Sequence, residues 1–524
     1  MLRFLPITAL LVGLTTAESN VSSSKETAYS TILWKNWTMS AKLNPSVQHI
    51  PLDLTQIHLR PPPAQIPDTY DVFIGSSSFR DGYRCGKTLF TALKRATYPE
   101  RLHFGIVEQI YEGDPTCLDE YCKRAVEEWP QDTQCRHKHQ IIIDTRDAAE
   151  SAGCTTARHL QQKLVGNQEF CLQVDAHSIF TNRWDENIVA DWTSINNEMA
   201  IMTVYPHHSH EFMIKENGDN AIYNFIPHLC ITVKEKRSNL TRIAEASMIE
   251  DSRMPQMGAL WGGGYSFSKC HAERKVLVDS HTPWLWDGEE FLRSANYWTS
   301  GYDLYSPSRL GHVLYHNYSE KPANFWLASV DPVKKGLNVA MARNRVRLRL
   351  GIPFKGVVDT FEFDKYGFGK VRSFDQYLKF ANISLKGWMN ETNSCGQLHW
   401  VPYENATEVE ETVGRGWKLH SQVSDEKLDV KKDGDAGKMT AESLQAVPAH
   451  FKNAAFITSE NAKLLKAQLR QRAPNSYNKL SRFVLPIGFF IIVIVTAIFV
   501  TLSNGPRFNA IRRSIGFKTK KSYE

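Results

Sequence analysis

Short apolar runs alternate with helix-like segments between about residue 70 and residue 205, and this alternation restricts the chain to a small set of folds. The predicted strands cover residues 71–74, 102–107, 140–144, 170–174 and 199–204, and the predicted helices cover residues 88–95 and 157–165. Strands that alternate with helices indicate an α/β fold around a sheet with parallel strands. In such sheets ligands bind beyond the carboxyl ends of the strands, so the residues that follow each strand are the first candidates for a site.

The strand predicted at 170–174 runs directly into Asp175-Ala-His177. A carboxylate and an imidazole together suit Mn²⁺ better than Mg²⁺, which prefers oxygen ligands and retained waters. Taken alone, the pair also fits a structural role in which Asp175 caps a helix and His177 lies on the surface. His316 ends a second strand-like run, residues 313–316, and is a candidate third ligand. The three residues together predict a divalent-cation site.

Two adjacent carboxylates, Glu289 and Glu290, follow a glycine-rich loop at residues 261–264 and begin a helix predicted at 291–300. Acidic residues at a helix start are often present only because they favour the positive end of the helix dipole. In a transferase, one such carboxylate can bind hydroxyls and stabilise positive charge at the anomeric carbon of a sugar. The pair is therefore a candidate catalytic element.

Three arginines, Arg80, Arg146 and Arg158, lie near predicted strand ends or helix starts. A guanidinium group can hold phosphate oxygens through two parallel hydrogen bonds. The alternative for each of the three arginines is a surface ion pair. Asp81 and Asp147 are the neighbouring candidate partners of Arg80 and Arg146. The sequence leaves both interpretations open.

Two apolar segments predict the cellular compartment and the membrane topology of the chain. Residues 1–17 have a basic residue, an apolar run and small residues at the end, which is typical of a signal peptide cleaved after Ala17, with an uncleaved anchor as the alternative. Residues 483–503 carry no charge, and about 20 such residues cross a bilayer. The basic residues 504–524 then predict a short cytoplasmic tail and a luminal catalytic domain.

Charge and sequons agree with this topology. The formal charge is +6 for 524 residues, and much of it lies in the tail, so the nearly neutral body predicts no nucleic-acid partner. Seven Asn-x-Ser/Thr sequons precede the apolar run, at Asn20, Asn36, Asn239, Asn317, Asn382, Asn390 and Asn405. The predicted location is a secretory-pathway membrane, Golgi or ER, with one C-terminal membrane helix.

The chain has nine cysteines. In an oxidising lumen most are expected in disulfides or as isolated core thiols, and the odd count leaves at least one free or bonded to another chain. Cys117, Cys122 and Cys135 lie close together, but no second close pair follows them, which argues against a zinc site.

Composition divides the remaining chain. Residues 18–66 are polar and rich in Ser, Thr and Pro, which predicts a flexible luminal segment. Residues 67–403 hold the strand, helix and motif pattern, including a basic helix predicted at 330–351. Residues 404–482 lose aromatic residues and gain charge, which predicts a stem.

Several motifs in one order resemble a known family. They are Ser76–Asp81 with Cys85, Arg146-Asp147-Ala, Thr156–Leu160, Leu172–His177, Trp184-Asp185, Trp261–Gly264, Asp287–Phe291, Trp298–Asp303, Val313–His316, Tyr366–Gly369 and Arg372-Ser-x-x-x-Tyr377. Over about residues 68–400 the chain resembles the polypeptide α-N-acetylglucosaminyltransferases. Members attach GlcNAc to hydroxyproline of a cytosolic ubiquitin-ligase adaptor or to threonine of protozoan surface mucins. The chain is more distantly similar to the mucin-type GalNAc-transferases.

This resemblance implies a GT-A-type nucleotide-sugar-binding domain with a mixed, mainly parallel sheet. It also implies UDP-GlcNAc as donor, Mn²⁺ as cofactor, retention of configuration, and a Ser, Thr or hydroxyproline hydroxyl of a polypeptide as acceptor. By the same resemblance Asp175, His177 and His316 bind the metal, and Glu289 and Glu290 are the catalytic acidic pair. The residues implied to line the donor site are Arg80, Asp81, Arg146, Arg158, Asp175, Gly263 and Gly264.

The chain also departs from the family pattern. The hydroxyproline-modifying relatives are soluble and cytosolic, whereas this chain has a predicted signal peptide and C-terminal anchor, which favours a secretory-pathway protein as acceptor. Residues 148–155 form a longer loop than the family pattern leads us to expect. Two alternatives stay open: a transferase of the same fold with another UDP-sugar or a glycan acceptor, and a catalytically dead, membrane-anchored lectin-like protein.

Overall fold

The computed structural model describes residues 29–421 apart from residues 133, 210–216, 221–223, 319–324, 329 and 386–390. The signal peptide predicted at 1–17, the membrane helix predicted at 483–503 and the tail at 504–524 lie outside the described residues. Among the helices that are described, none combines the length and the apolar character that a bilayer crossing requires.

Strands and helices alternate through the described ranges. The strands are β1 Ser30–Trp34, β2 Met39–Leu43, β3 Val72–Phe79, β4 Leu102–Ile110, β5 Ile141–Asp147, β6 Phe170–Asp175, β7 Ser178–Phe180, β8 Ala200–Thr203, β9 Phe225–Leu229, β10 Ile231–Lys234, β11 Thr241–Ile243, β12 Ala246–Glu250, β13 Gln256–Gly258, β14 Tyr265–Lys269, β15 Asp303–Ser306, β16 Leu314–His316 and β17 Glu391–Asn393. The helices are α1 Gly82–Arg95, α2 Cys117–Glu128, α3 Cys154–Gln162, α4 Trp184–Ile195, α5 Cys270–Lys275, α6 Glu289–Thr299, α7 Pro332–Arg349, α8 Phe374–Phe380 and α9 Thr407–Val413.

An eight-stranded sheet with the order β13-β15-β8-β14-β6-β3-β4-β5 forms the centre of the fold. The β6-β3-β4-β5 half is parallel, as is the β15-β8 pair, whereas β14 runs antiparallel to both of its neighbours. The prediction of an α/β architecture around a mixed sheet is confirmed. Parallel strands are buried on both faces, and β6 accordingly keeps five of its six residues buried.

Most predicted elements lie within a few residues of the observed ones, but residues 76–79 differ. The strand predicted from the sequence ends at residue 74, before three serines, whereas the structure continues β3 to Phe79. The reason is the ladder to β4, in which Ser78 pairs with Glu108 and Phe79 with Gln109. Backbone pairing with a neighbouring strand overrides the loop tendency of the serines. The helix predicted at 157–165 likewise begins earlier, at Cys154.

The flexible segment predicted at 18–66 needs correction for its described part. Strands β1 and β2 form a hairpin, and β1 also pairs with β12 in a four-stranded sheet of order β2-β1-β12-β9. Ile32 in β1 is fully buried in a small core with Ile249. Leu59 is buried in the main core. Apolar residues at alternate positions give this polar segment one face that packs against the rest of the fold.

The start of the predicted stem also belongs to the fold. Helix α9 at Thr407–Val413 buries Val409 and Val413 in the main core, and Leu419 is fully buried after it. The packed structure therefore extends past residue 403 to the last described residues.

Eight cysteines form four disulfides, which confirms the expectation from the cysteine count. The pairs are Cys85–Cys117, Cys122–Cys135, Cys171–Cys270 and Cys230–Cys395. Cys154 is the remaining free thiol. The cluster Cys117, Cys122 and Cys135 is divided between two of these disulfides, so these residues do not form a zinc site.

Candidate active site

Asp175, His177 and His316 come together at the carboxyl end of β6. Asp175 is the last residue of β6, a tight turn follows, and β7 then pairs antiparallel with β16 so that His316 lies opposite Ser178. One ligand atom from each of the three residues lies within 4.8 Å of the other two. His316 Nε2 lies 2.9 Å from Asp175 Oδ2, and the ring centroids of His177 and His316 are 4.4 Å apart.

The charge state and the donor atoms of this cluster fit a divalent cation. Burial opposes ionisation of Asp175, but the hydrogen bond from His316 and the charges of His316, His177 and Arg158 bring its pKa well below the usual value. Asp175 is therefore an anion at neutral pH. Within the described residues, Nδ1 of the buried His316 has no hydrogen-bond partner. A carboxylate with two imidazoles is a donor set that Mn²⁺ accepts.

Asp81, which the sequence places in the donor site, lies beside His177. The buried Asp81 carboxylate is 3.6 Å from His177 Nδ1, and Arg84 holds the same oxygen at 2.6 Å. This contact is longer than a hydrogen bond, so Asp81 acts on the imidazole as a nearby negative charge. Asp81 thus supports a candidate metal ligand. Arg84 was not predicted, although its position one helical turn after Asp81 places it at the same sheet edge.

The acidic pair lies at the start of α6, directly after Gly288, whose φ of +87° is readily adopted by glycine. Both carboxylate oxygens of Glu289 accept hydrogen bonds of 2.6 Å from Arg158 Nη1. Burial would lower the pKa of Arg158, but the charge of Glu289 raises it above the usual value. The sequence leaves Arg158 open between a phosphate ligand and an ion pair; the structure shows an ion pair with Glu289, and a role of Arg158 in donor binding stays a prediction.

Glu290 has different partners. Its carboxylate accepts a hydrogen bond from the backbone N–H of Gly263 at 2.9 Å and a short one from the hydroxyl of Tyr205. Burial and the adjacent charge of Glu289 raise the pKa of Glu290 to about 7. Tyr205 was not predicted as a site residue. It follows the strand predicted at 199–204, so the rule that ligands bind at carboxyl ends of strands could have indicated it.

The glycine-rich loop joins the two halves of the site. A Cβ at Gly263 would lie 2.2 Å from Arg158 Nη2, and a Cβ at Gly264 would lie 3.3 Å from Asp175 Oδ2. These two consecutive residues therefore contact the acidic side through Gly263 and the metal-ligand side through Gly264. The close approach explains why the loop needs glycine. The metal cluster and the acidic pair belong to one site.

Arg80 and Arg146 are engaged elsewhere. Arg80 makes two hydrogen bonds to Asp114, at 2.6 and 2.8 Å, and the exposed Arg146 bonds to Asp144 at 2.9 Å. Neither arginine bonds to the neighbouring aspartate that the sequence suggested. Both lie at the carboxyl end of a strand, β3 for Arg80 and β5 for Arg146. A role for either in phosphate binding stays a prediction.

Comparison with known proteins decides the family. Residues 71–386 match the family model described as "Glycosyltransferase (GlcNAc)", which covers more than half of the chain. The chain belongs to this GlcNAc glycosyltransferase family. Each residue of the candidate site that is described above lies within the matched range. The resemblance expected from the motifs is thus confirmed at the level of a glycosyltransferase family, and the chain is a glycosyltransferase.

Two solved structures are similar at a low level. GalNAc-T7 with UDP, GalNAc and Mn²⁺ has 11% identity and a TM-score of 0.37 over 60% of this glycosyltransferase, which spans 57% of the GalNAc-T7 chain. The mannosyltransferase PcManGT from Pyrobaculum calidifontis, in complex with GDP-Man and Mn²⁺, has 9% identity and a TM-score of 0.33. The similar region covers 62% of this glycosyltransferase and 74% of the PcManGT chain. No curated protein matches the sequence.

Proposed function

We propose that this glycosyltransferase uses a GT-A-type domain to transfer GlcNAc from UDP-GlcNAc to a serine, threonine or hydroxyproline hydroxyl of a secretory-pathway polypeptide. The proposed reaction depends on Mn²⁺ and retains configuration at the anomeric carbon. The observation that carries this proposal is the convergence of two groups around Gly263 and Gly264. One group is the cluster of Asp175, His177 and His316, and the other is the pair of Glu289 and Glu290.

Asp175, His177 and His316 are the residues that would hold the cation. A divalent cation bound there would neutralise charge on the leaving diphosphate. Because its pKa is lowered, Asp175 is already ionised at neutral pH and needs no prior loss of a proton. Asp81 places a negative charge beside His177.

The two glutamates have separable roles. Glu289 is paired with Arg158, and we assign to this ion pair the electrostatic contact with the sugar and the positioning of the start of α6. Glu290 has a pKa of about 7 and so exchanges a proton readily near neutral pH. We assign to Glu290 the contact with a hydroxyl of the acceptor or the donor sugar. No covalent intermediate is assigned to either residue.

The proposed location is the Golgi or ER membrane, with the catalytic domain in the lumen. Four disulfides support it, because disulfides persist in oxidising compartments and are rare in the cytosol. The apolar run 483–503 supplies the proposed anchor. Protease protection of the catalytic domain in sealed microsomes tests this topology, and digestion without detergent would contradict it.

Release of UDP by the full chain tests the proposed reaction. We expect turnover of UDP-GlcNAc with Mn²⁺, loss of turnover with EDTA, and a loss of at least about 100-fold in the double variant Asp175→Asn with His177→Ala. A matched control is Asp71→Asn with His103→Ala, an Asp–His pair 3.3 Å apart at the amino ends of β3 and β4. This control pair should retain activity.

Each alternative has its own outcome. Turnover of UDP-GalNAc or UDP-glucose in place of UDP-GlcNAc would replace the donor assignment. Sugar binding without turnover of any donor would favour the lectin-like alternative. Full activity of the Asp175 and His177 double variant would contradict the metal site.

A further inference from the structure

A cavity of about 820 Å³ lies among helices α7 and α8 and the turn that joins β10 to β11. Residues 349–353, at and after the end of α7, line it together with Phe374 and Leu378 of α8. Asn239 lines it from the β10–β11 turn. The volume is within the range of about 300–1,000 Å³ that is typical of sites for small ligands. We call this space the α7–α8 cavity.

One residue of the cavity lining is also the acceptor residue of a sequon. Asn239 is followed by Leu240 and Thr241, which completes the pattern Asn-x-Thr without an intervening proline. In proteins of the secretory pathway, the asparagine of this pattern is the residue to which N-linked glycans are attached. The α7–α8 cavity therefore adjoins a residue that can carry a sugar of its own.

The surroundings of Asn239 differ from those of other sequon asparagines. Asn239 is half-buried, whereas Asn36, Asn382 and Asn405 are exposed. A glycan on an exposed asparagine extends directly into solvent. A glycan on Asn239 begins beside the α7–α8 cavity, so its first sugar has a space of suitable size within reach.

The β10–β11 turn holds Asn239 in one backbone conformation. Asn239 has a φ of +56°, in the left-handed region that asparagine adopts more readily than most residues. Its N–H donates to the carbonyl of Glu235 at 2.8 Å, and the N–H of Glu235 donates to the carbonyl of Leu240 at 2.9 Å. Leu240 is fully buried, and Arg347 of α7 donates to the carbonyl of Ser238. A sugar on Asn239 is therefore attached at a fixed point of the cavity lining.

The lining of the cavity combines apolar and charged side chains. The apolar ones are Leu350, Ile352, Phe374, Leu378 and Ile383, and the charged ones are Lys234, Arg349 and Asp375. A GlcNAc residue has the same mixture, because its ring face and acetyl methyl are apolar while its hydroxyls and amide form hydrogen bonds. Binding sites for such ligands are mostly apolar with a few polar groups. The chemistry of the lining therefore fits the first sugar of an N-linked glycan.

We propose that Asn239 is an N-glycosylation site whose first GlcNAc occupies the α7–α8 cavity. This inference rests on the proposed luminal location of the catalytic domain. In the attachment step, Asn239 Nδ2 forms a bond to C1 of the GlcNAc, and the bond from C1 to the diphosphate of a lipid-linked oligosaccharide breaks. The lipid diphosphate and one Nδ2 proton are released. Because Thr241 is only 5% exposed in the folded protein, attachment precedes the pairing of β10 with β11.

Digestion by peptide-N-glycosidase F tests the site without requiring turnover of any donor. The full chain is produced in eukaryotic secretory cells, extracted in mild detergent and digested either folded or denatured. Mass spectrometry of the peptide that contains residue 239 measures both occupancy and release. We expect the glycan to be present and to leave the folded protein at least about tenfold more slowly than the denatured protein, because the glycosidase requires the cavity to open.

Variants of the cavity lining separate specific protection from general folding. Phe374→Ala should speed release from the folded protein, and Asp375→Ala, at an exposed residue of the lining, should speed it less. Phe361→Ala is the matched control, because Phe361 is 67% exposed and does not line the cavity. Asn382→Asp, at an exposed sequon asparagine with a φ of +52°, should also leave the protection of the Asn239 glycan unchanged. Equal release from folded and denatured protein would overturn the inference, as would equal effects of the lining variants and the controls.

The two proposals fail in different ways. Glycans at Asn36 or Asn405 together with an unmodified Asn239 would overturn this inference and leave the proposed location intact. A chain without any N-linked glycan would contradict the proposed location and this inference with it. A protected glycan on Asn239 in a chain that releases no UDP from UDP-GlcNAc would contradict only the proposed transfer reaction.

Discussion

At the scale of single residues, the raised pKa of Glu290 affects both the proposed catalysis and the pH dependence of the free energy of unfolding. Burial and the neighbouring Glu289 raise its pKa from 4.5 to about 7, while hydrogen bonds from Tyr205 and Gly263 only partly oppose this. The folded protein therefore holds this proton more tightly than the unfolded chain. The free energy of unfolding that depends on Glu290 is fully present below about pH 4.5 and declines as pH rises towards about 7.

The variant Glu290→Gln should remove this pH dependence. We expect its Tm relative to the unmodified protein to be higher at about pH 7.5 than at about pH 5, because the amide cannot ionise. Calorimetry at the two pH values measures the difference. Glu100→Gln, at a carboxylate whose side chain is 66% exposed, is the control and should follow the unmodified protein. The same Tm difference at both pH values would contradict the raised pKa.

Tyr205 acts on Glu290 through the hydrogen bond that its hydroxyl donates. Because this bond lowers the pKa of Glu290, Tyr205→Phe should raise that pKa further. We expect kcat to fall about tenfold and the pH–activity limb set by Glu290 to move to higher pH. Kinetics with UDP-GlcNAc across pH measure both changes. Tyr83→Phe, at an exposed tyrosine, should change neither. A lower kcat without a shift of the limb would indicate a purely structural role.

At the scale of elements, local patterns predicted the strands that end at the site but not how they come together. Asp175 and His177 follow an apolar run, which marks them as strand-end residues. Their approach to His316 depends on the pairing of β7 with β16, which joins segments more than 130 residues apart. The same holds for β1, whose partner β12 lies about 200 residues away. Side-chain periodicity carries no information about partners at that distance.

The disulfides offer a test of how such long-range connections stabilise the elements. Cys171–Cys270 joins β6 to the start of α5 and closes a loop of 99 residues, whereas Cys122–Cys135 closes one of 13. In the chain-entropy model the longer loop contributes about 2 kcal/mol more. We expect replacement of Cys171 and Cys270 by alanine to lower the free energy of unfolding by about 2–5 kcal/mol. Replacement of Cys122 and Cys135 by alanine is the comparison, and denaturant unfolding measures the free energy of unfolding of both double variants. An equal or larger loss of free energy for the variant without the shorter loop would contradict the model.

At the scale of the whole molecule, the packed structure is larger than the range that the family match covers. The match spans residues 71–386, yet β1 and β2 precede it and α9 follows it. These added elements complete one small sheet and part of the main core. Composition alone could not indicate this, because a polar segment with a few buried apolar residues resembles a linker until its partner strands are known.

Deletion of residues 18–66 should therefore damage the fold rather than remove a linker. It takes away β1 and β2, leaves β12 with β9 as its remaining neighbour among the described strands, and exposes Ile249, which is fully buried in the intact protein. An unpaired apolar edge strand promotes aggregation. We expect the deleted chain to have a lower Tm and to aggregate, whereas a chain that lacks only residues 18–28 should match the intact protein. Thermal unfolding and size-exclusion chromatography of both chains measure the outcome, and equal Tm values would mean that the hairpin contributes little to the stability of the fold.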